Sequence, residues 1–216
     1  MDEKLEQEEA VDEFRELVDE ILKFIWRNNP VAATFAGVHD YDGELDRLER
    51  DYLEEVNGRT KEYLAKLNRF SKEPLEKDEL LDHTILTNAL ASSVKSFEEI
   101  RGWEKDPALY SQVVIYGIFI VAIREFAPLR TRLKSILSRL RQAPRVLEEG
   151  RANLKDSPEV FTKVGIEVTE AGIQFLQGLI PTLAQKVPDL SAELLKANQQ
   201  AVVAFLSYLE FLKTEY

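Results

Sequence analysis

The chain holds 216 residues, with 28 Lys and Arg against 39 Asp and Glu, two His, no Cys and one Met, for a formal net charge of -11. At 44% hydrophobic and 31% charged residues it is composed like a folded polypeptide, neither disordered nor membrane-embedded, and its length lets it bury well over half of its unfolded surface. Without cysteine there is no disulfide framework, thiolate zinc site, iron-sulfur cluster or thiol nucleophile.

The expected elements follow the prolines at positions 30, 74, 107, 128, 144, 158, 181 and 188, because proline starts helices and disrupts their interiors. A first helix is expected over about residues 7–29, where Val11, Phe14, Leu17, Val18, Ile21, Leu22 and Ile25 form one stripe opposite Glu, Asp and Lys. After Asn28-Asn29-Pro30 come a short helical turn and a polar loop, His39-Asp40-Tyr41-Asp42-Gly43. Further helices are expected over about 45–70, through Leu48, Tyr52, Tyr63 and Leu67 with Arg59 interrupting the stripe, and over about 76–100, through Leu86, Leu90, Val94 and Phe97.

Residues 108–126 include Val113-Val114-Ile115-Tyr116-Gly117-Ile118-Phe119-Ile120-Val121, rich in the β-branched side chains that favour strands. A lone strand in a helical chain would leave its backbone groups unpaired, so this segment also reads as a helix. Three more helices are expected over about 129–142, 159–180 and 189–213, with Ser157 and Asp189 as caps just outside the last two. The fold class is therefore all-α, an antiparallel bundle of six to eight helices. No repeat of constant period and no Gly/Ser-rich linker is present, so one domain over residues 1–216 is expected.

Charge is uneven. Residues 1–62 carry 19 acids against eight bases, whereas the rest of the chain carries 20 of each. Within the neutral part, residues 124–151 hold eight Arg or Lys against three acids. No aromatic residue lies on the basic face of that helix for base stacking, so it reads as a solvated face answering the acidic first helix, and no nucleic-acid partner is expected. The start, Met1-Asp2-Glu3-Lys4-Leu5-Glu6, is acidic where a signal peptide is basic, which points to a cytoplasmic location. The longest apolar stretch, 113–123, is about half the roughly 20 residues of a membrane span, so no membrane partner is expected.

Catalytic signatures are missing. His39 and His83 are too far apart for a two-histidine helical zinc motif, and Ala36 and Leu80 stand where a di-iron Glu-x-x-His pair needs Glu. Gly-x-x-x-x-Gly-Lys, Gly-x-Gly-x-x-Gly and Gly-x-Ser-x-Gly runs do not occur. No catalytic residue, metal ligand or cofactor is assigned.

Three local features stay open as ligand-facing candidates. The loop of His39, Asp40 and Asp42 has the donors for a weak metal site or an acid/base pair, although such loops more often hydrogen-bond their own backbone. Trp103, in Trp103-Glu104-Lys105-Asp106-Pro107, reads as the plug of a helix break or as a ligand platform. Gly165 and Gly172, a heptad apart inside an expected helix with Gly178 beyond them, either let a neighbouring helix approach closely or line a groove.

Taken in order, Pro30-Val31-Ala32-Ala33-Thr34-Phe35-Ala36-Gly37-Val38-His39-Asp40-Tyr41-Asp42, Trp103-Glu104-Lys105-Asp106-Pro107-Ala108-Leu109-Tyr110, Phe126-Ala127-Pro128-Leu129-Arg130-Thr131-Arg132-Leu133 and Ala152-Asn153-Leu154-Lys155-Asp156-Ser157-Pro158 resemble the N-terminal half of domain-of-unknown-function family 885. The resemblance spans nearly the whole chain. It implies a helix-rich protein whose typical relatives are more than twice as long and resemble zinc metallopeptidases through a His-Glu motif in their C-terminal half. Neither histidine here matches that motif, while His39, Asp40 and Asp42 match an early motif of the family. The implied role is a scaffold or cleft wall whose partner is the C-terminal half or another protein. The alternative is a self-contained helical interaction module, pairing with a second copy or a protein partner through an exposed apolar face. The ending, Phe211-Leu212-Lys213-Thr214-Glu215-Tyr216, keeps helical rhythm without a capping Gly, which points to an interrupted protein.

Overall fold

The computed structural model describes residues 2–215, with residues 2–5 in backbone only. In chain order the helices are α1 Asp2–Asn28, α2 Pro30–Ala36, α3 Arg50–Arg69, α4 Lys77–Lys95, the single turn α5 Gly102–Lys105, α6 Ala108–Ile123, α7 Leu129–Asn153, α8 Glu159–Ala184 and α9 Pro188–Glu215. A 3-10 turn, His39–Tyr41, follows α2, and α4 runs into a π-helical turn, Ser96–Ile100. No strand occurs among the described residues, and apart from the single turn there are eight helices. The all-α reading holds, including the β-branched segment that became α6.

Contacts divide the chain into two compact units. The first comprises Met1–Asn28 and Asp51–Arg101. Its core is the stripe read from the sequence: Phe14 and Ile21 of α1 meet Tyr63 and Leu67 of α3, Leu75, and Leu86 and Leu90 of α4. Removing such side chains from water stabilises by about 1.5–3 kcal/mol each. His83 belongs to this core, with its ring stacked 6.1 Å from that of Phe14 and its Nε2–H donated to the Leu67 carbonyl at 2.9 Å. Arg59 stays on the surface, paired with Glu62 at 2.7 Å. The Tyr63 hydroxyl donates to Glu20 at 3.0 Å, and burial, reinforced by that carboxylate, raises its pKa.

The second unit comprises Asn29–Arg50 and Gly102–Tyr216. In it α6, α7, α8 and α9 pack on one another, and the short connections 124–128, 154–158 and 185–187 make sequential neighbours antiparallel. Proline does not mark every boundary. Pro144 lies inside α7 and Pro181 inside α8, so the helices expected to stop near 142 and 180 continue to Asn153 and Ala184. An internal proline costs about 3 kcal/mol, and buried neighbours on both sides outweigh it: Leu140, Ala143, Val146 and Leu147 around Pro144, and Ile180, Leu183 and Ala184 around Pro181.

The two expected caps also have other partners. Pro158 occupies the cap position of α8 without a side-chain bond, and the Ser157 hydroxyl instead donates to the Lys105 carbonyl at 2.8 Å. Asp189 sits within the first turn of α9, where the helix dipole favours it, and accepts from Arg130 at 2.5 Å.

Candidate functional site

Along α7, Arg139, Gln142, Arg145, Glu149 and Asn153 recur at intervals of three and four, so they share one face. That face is buried at Arg139 and Asn153 and half-buried at Gln142, Arg145 and Glu149. It meets the non-helical chain between the 3-10 turn and α3, and pairs its backbone group by group. Arg139 donates to the Tyr41 carbonyl (3.4 Å) and Gln142 to that of Gly43 (2.7 Å), while Leu45 N–H donates back to Gln142 (3.0 Å). Arg145 donates to the carbonyls of Leu45 (3.4 Å) and Asp46 (3.2 Å), Leu48 N–H donates to Glu149 (2.9 Å), and Asn153 donates to the Leu48 carbonyl. Helix α3 therefore starts at Arg50 and not near residue 45, because the backbone groups that would begin it are bonded to α7. The solvated-face reading of the basic helix is corrected accordingly: Arg139 and Arg132 are buried, and Arg130 and Arg141 pair with Asp189 and Glu193 of α9.

The polar centre of this unit is Arg139, fully enclosed on a helix that also buries Leu133, Ile136, Leu137 and Leu140. Its guanidinium donates to the Gly117 carbonyl of α6 and to the Thr34 hydroxyl of α2 at 2.8 Å. The Thr34 hydroxyl in turn donates to Asp42 Oδ1 at 2.8 Å, and His39 donates Nδ1–H to Asp42 Oδ2 at 3.0 Å while its ring stacks 3.9 Å from that of Phe126. Asp46 accepts from the Val31 N–H at 3.0 Å, which satisfies an orphan donor in the first turn of α2 from outside the helix. Burial raises the Asp46 carboxyl above its ordinary range, and the Val31 N–H and the Arg139 and Arg145 cations oppose that shift. Burial likewise draws Arg139 down to about 10, with Asp42, Asp46 and Glu44 opposing, so it stays charged at neutral pH. One cation among flanking carboxylates thus ties three helices and one turn into a knot.

Of the sequence candidates, His39 and Asp42 belong to this knot, while Asp40 stays exposed on the 3-10 turn. Trp103 is a plug, buried beneath the Arg50 guanidinium, which lies 4.6 Å from its ring centre and bonds Glu104 at 2.7 Å. The Trp103 carbonyl accepts from the Tyr110 hydroxyl, which also accepts from Asn153 at 3.1 Å. Gly165 and Gly172 are buried, and an added Cβ would lie 2.6 Å from Pro107 Cγ at the first and 2.6 Å from Phe205 Cε1 at the second. Close approach is what these glycines permit, and the face they share is filled. Sequence reasoning missed Thr34, Asp46, Gln142, Arg145, Glu149 and Asn153. For the four on α7 the one signal is polar residues at helical spacing beside its apolar stripe, a pattern that a solvated helix also shows, and Thr34 and Asp46 carry no such signal.

Tyr110 gives this region a pH dependence. Burial raises its pKa above the ordinary tyrosine value, although the Asn153 bond opposes the shift. The folded chain therefore keeps a proton that the unfolded chain releases near pH ~10, so stability is full below that pH and falls as pH rises beyond it. Tyr110→Phe is expected to lower stability by about 1 kcal/mol at neutral pH and to flatten that alkaline decline. Urea unfolding between about pH 9 and about pH 11 checks it, and an unchanged slope refutes it.

The donors present do not fit the zinc site implied by the resemblance. Among the described residues no group of three or more His, Asp or Glu side chains is placed to hold a metal ion. His39 Nδ1 is bonded to Asp42, and His83 Nε2 is turned to a backbone carbonyl in an apolar core.

Fold and site together define an all-helical protein body whose buried polar groups hold its own chain in place. Residues 30–216 match the family described as "Bacterial protein of unknown function (DUF885)", and the chain belongs to that family. A solved structure from Shewanella oneidensis, described as a "putative lipoprotein of unknown function", superposes with a TM-score of 0.84 at 22% identity. The match covers 94% of this chain and 37% of that one, so this chain spans little more than a third of its length; at this identity the likeness shows the fold. No curated protein matches the chain.

Proposed function

We propose that the chain is the non-catalytic helical scaffold of a longer family architecture, forming one wall of a cleft whose zinc-metallopeptidase-like chemistry belongs to a C-terminal half. The observation that carries this reading is the pairing of 94% coverage of this chain with 37% coverage of its structural neighbour: the same helical body recurs as a minor part of a longer polypeptide. The donor set supports it, since Thr34, Asp42, Asp46, His39 and His83 are bonded to backbone and to one another.

The test compares the purified 216-residue chain with the product of the full reading frame. The shorter chain is expected to retain well under one zinc per molecule after dialysis and to hydrolyse no peptide, and the longer protein to retain zinc. Peptide hydrolysis by the 216-residue chain that disappears in His39→Ala would refute the reading.

A further inference from the structure

Helix α6 runs for 16 residues without a single Asp, Glu, Lys or Arg. Its inner side is core, with Val114, Ile118 and Val121 fully enclosed. A helix apolar on every side is ordinarily covered on every side. Yet Tyr116, Phe119 and Ile123, at positions i, i+3 and i+7 of one stripe, are 49%, 39% and 53% exposed. Phe35, at the end of α2, is 40% exposed, and Arg124 donates to its carbonyl at 2.7 Å, which ties it to the same end of α6. Phe119 also packs on Phe175 of α8, with ring centres 6.4 Å apart, so Tyr116 and Ile123 are the more open members of the stripe.

Exposed apolar side chains occur elsewhere too, including Val160, Phe161 and Val164 on α8 and Val203 and Leu206 on α9. Leu81 and Ile85 on α4 lie beside exposed Asp82, and Leu195 on α9 lies between exposed Glu193 and Lys196. Charged neighbours keep those helices solvated, and single apolar residues among them are ordinary surface. The α6 face has no charged residue within its own helix.

We propose that this face of Phe35, Tyr116, Phe119 and Ile123 is the seat of the polypeptide that continues the family architecture, received as an apolar helix face from the C-terminal half. The proposal rests on the scaffold reading above. The solved relative supplies the reason for the occupant: it carries the same helical body, and the larger part of its chain lies outside the match and must pack against something. The stripe is uncharged along α6, with exposed Arg124 at its edge bonded to the Phe35 carbonyl, and it suits a mainly apolar partner, because a charge set against the apolar side chains would lose its hydration.

The double substitution Tyr116→Lys with Ile123→Lys tests it. In the 216-residue chain the melting temperature is expected to stay within a degree or two of the parent, since both side chains are already half in water. The segment encoded after residue 216, expressed separately, is expected to bind the parent chain and to lose at least about tenfold in affinity for the double variant, as a truncated interface anchor does. Leu81→Lys with Ile85→Lys is expected to leave binding unchanged. Binding that ignores the α6 pair overturns the docking surface and leaves the scaffold reading intact. A frame that closes at residue 216 overturns both. A dimer of the parent chain that the α6 pair dissolves overturns the occupant in favour of a second copy.

Discussion

Replacing Arg139 with methionine is expected to lower the unfolding free energy of the second unit by about 3–5 kcal/mol, the range for removing one partner from a buried charge pair. The side chain is fully enclosed, and its loss leaves the Gly117 carbonyl without this donor, the Thr34 hydroxyl without the cation it accepts from, and Asp42 buried beside no opposing guanidinium. Methionine restores volume and polarizability but no charge. Arg139→Lys is expected to lose less but still measurably, since an ammonium cannot reproduce the planar fork that spans α6, α2 and the Tyr41 carbonyl. Removing both members, in Arg139→Met with Asp42→Asn, is expected to cost less than the sum of the single changes, because neutral asparagine no longer needs a buried counter-charge; the coupling is about 1–3 kcal/mol. Urea unfolding followed by Trp103 fluorescence in a Trp26→Phe background measures the parent, the three single variants and the double variant. A loss below about 1 kcal/mol in Arg139→Met, typical of a surface change, would mean that the knot contributes nothing to the fold.

Gly165 and Gly178 give a second pair of large and opposite effects. An added Cβ at Gly165 lies 2.6 Å from Pro107 Cγ, 2.9 Å from Pro107 Cβ and 3.3 Å from the Ala108 backbone nitrogen. Those atoms cannot easily retreat, since Pro107 caps α6 and its carbonyl accepts from the buried Tyr208 hydroxyl at 3.0 Å. Gly165→Ala is therefore expected to lose about 1–3 kcal/mol from overpacking despite its better helix propensity, and Gly165→Val more. Gly178 has nothing within 4 Å of its added Cβ, so Gly178→Ala is expected to gain about 1 kcal/mol from propensity alone. Thermal melts of the variants decide it. Equal stabilisation at both positions would show an open face at Gly165 and revive the groove that its burial argues against.

Much of the fold was legible along the chain. The Phe14, Ile21 and Leu17 stripe of α1 became core or lay against it, and the β-branched run from Val113 proved helical for the reason expected, the lack of any strand partner among the described residues. The close approach at Gly165 was readable from its position inside a helix. The candidate site was legible only at His39 and Asp42. Arg139 reads in sequence like Arg130 or Arg141, which are exposed and paired with acids of α9. What separates them is the backbone of a loop about 100 residues away along the chain, as in the bonds from Leu45 and Leu48 to Gln142 and Glu149, with separations of 97 and 101.

By itself the sequence determined helical class, the apolar stripes and the lack of thiolate and paired imidazole ligands, because period and inventory depend only on the order and identity of residues. Only the tertiary structure decided which arginines are buried, where α3 begins, whether Pro144 and Pro181 end their helices, and that Asp46 completes α2. Each of those outcomes is a competition between a local preference of a few kcal/mol and partners brought in from distant positions, and the local order of residues does not reveal those partners.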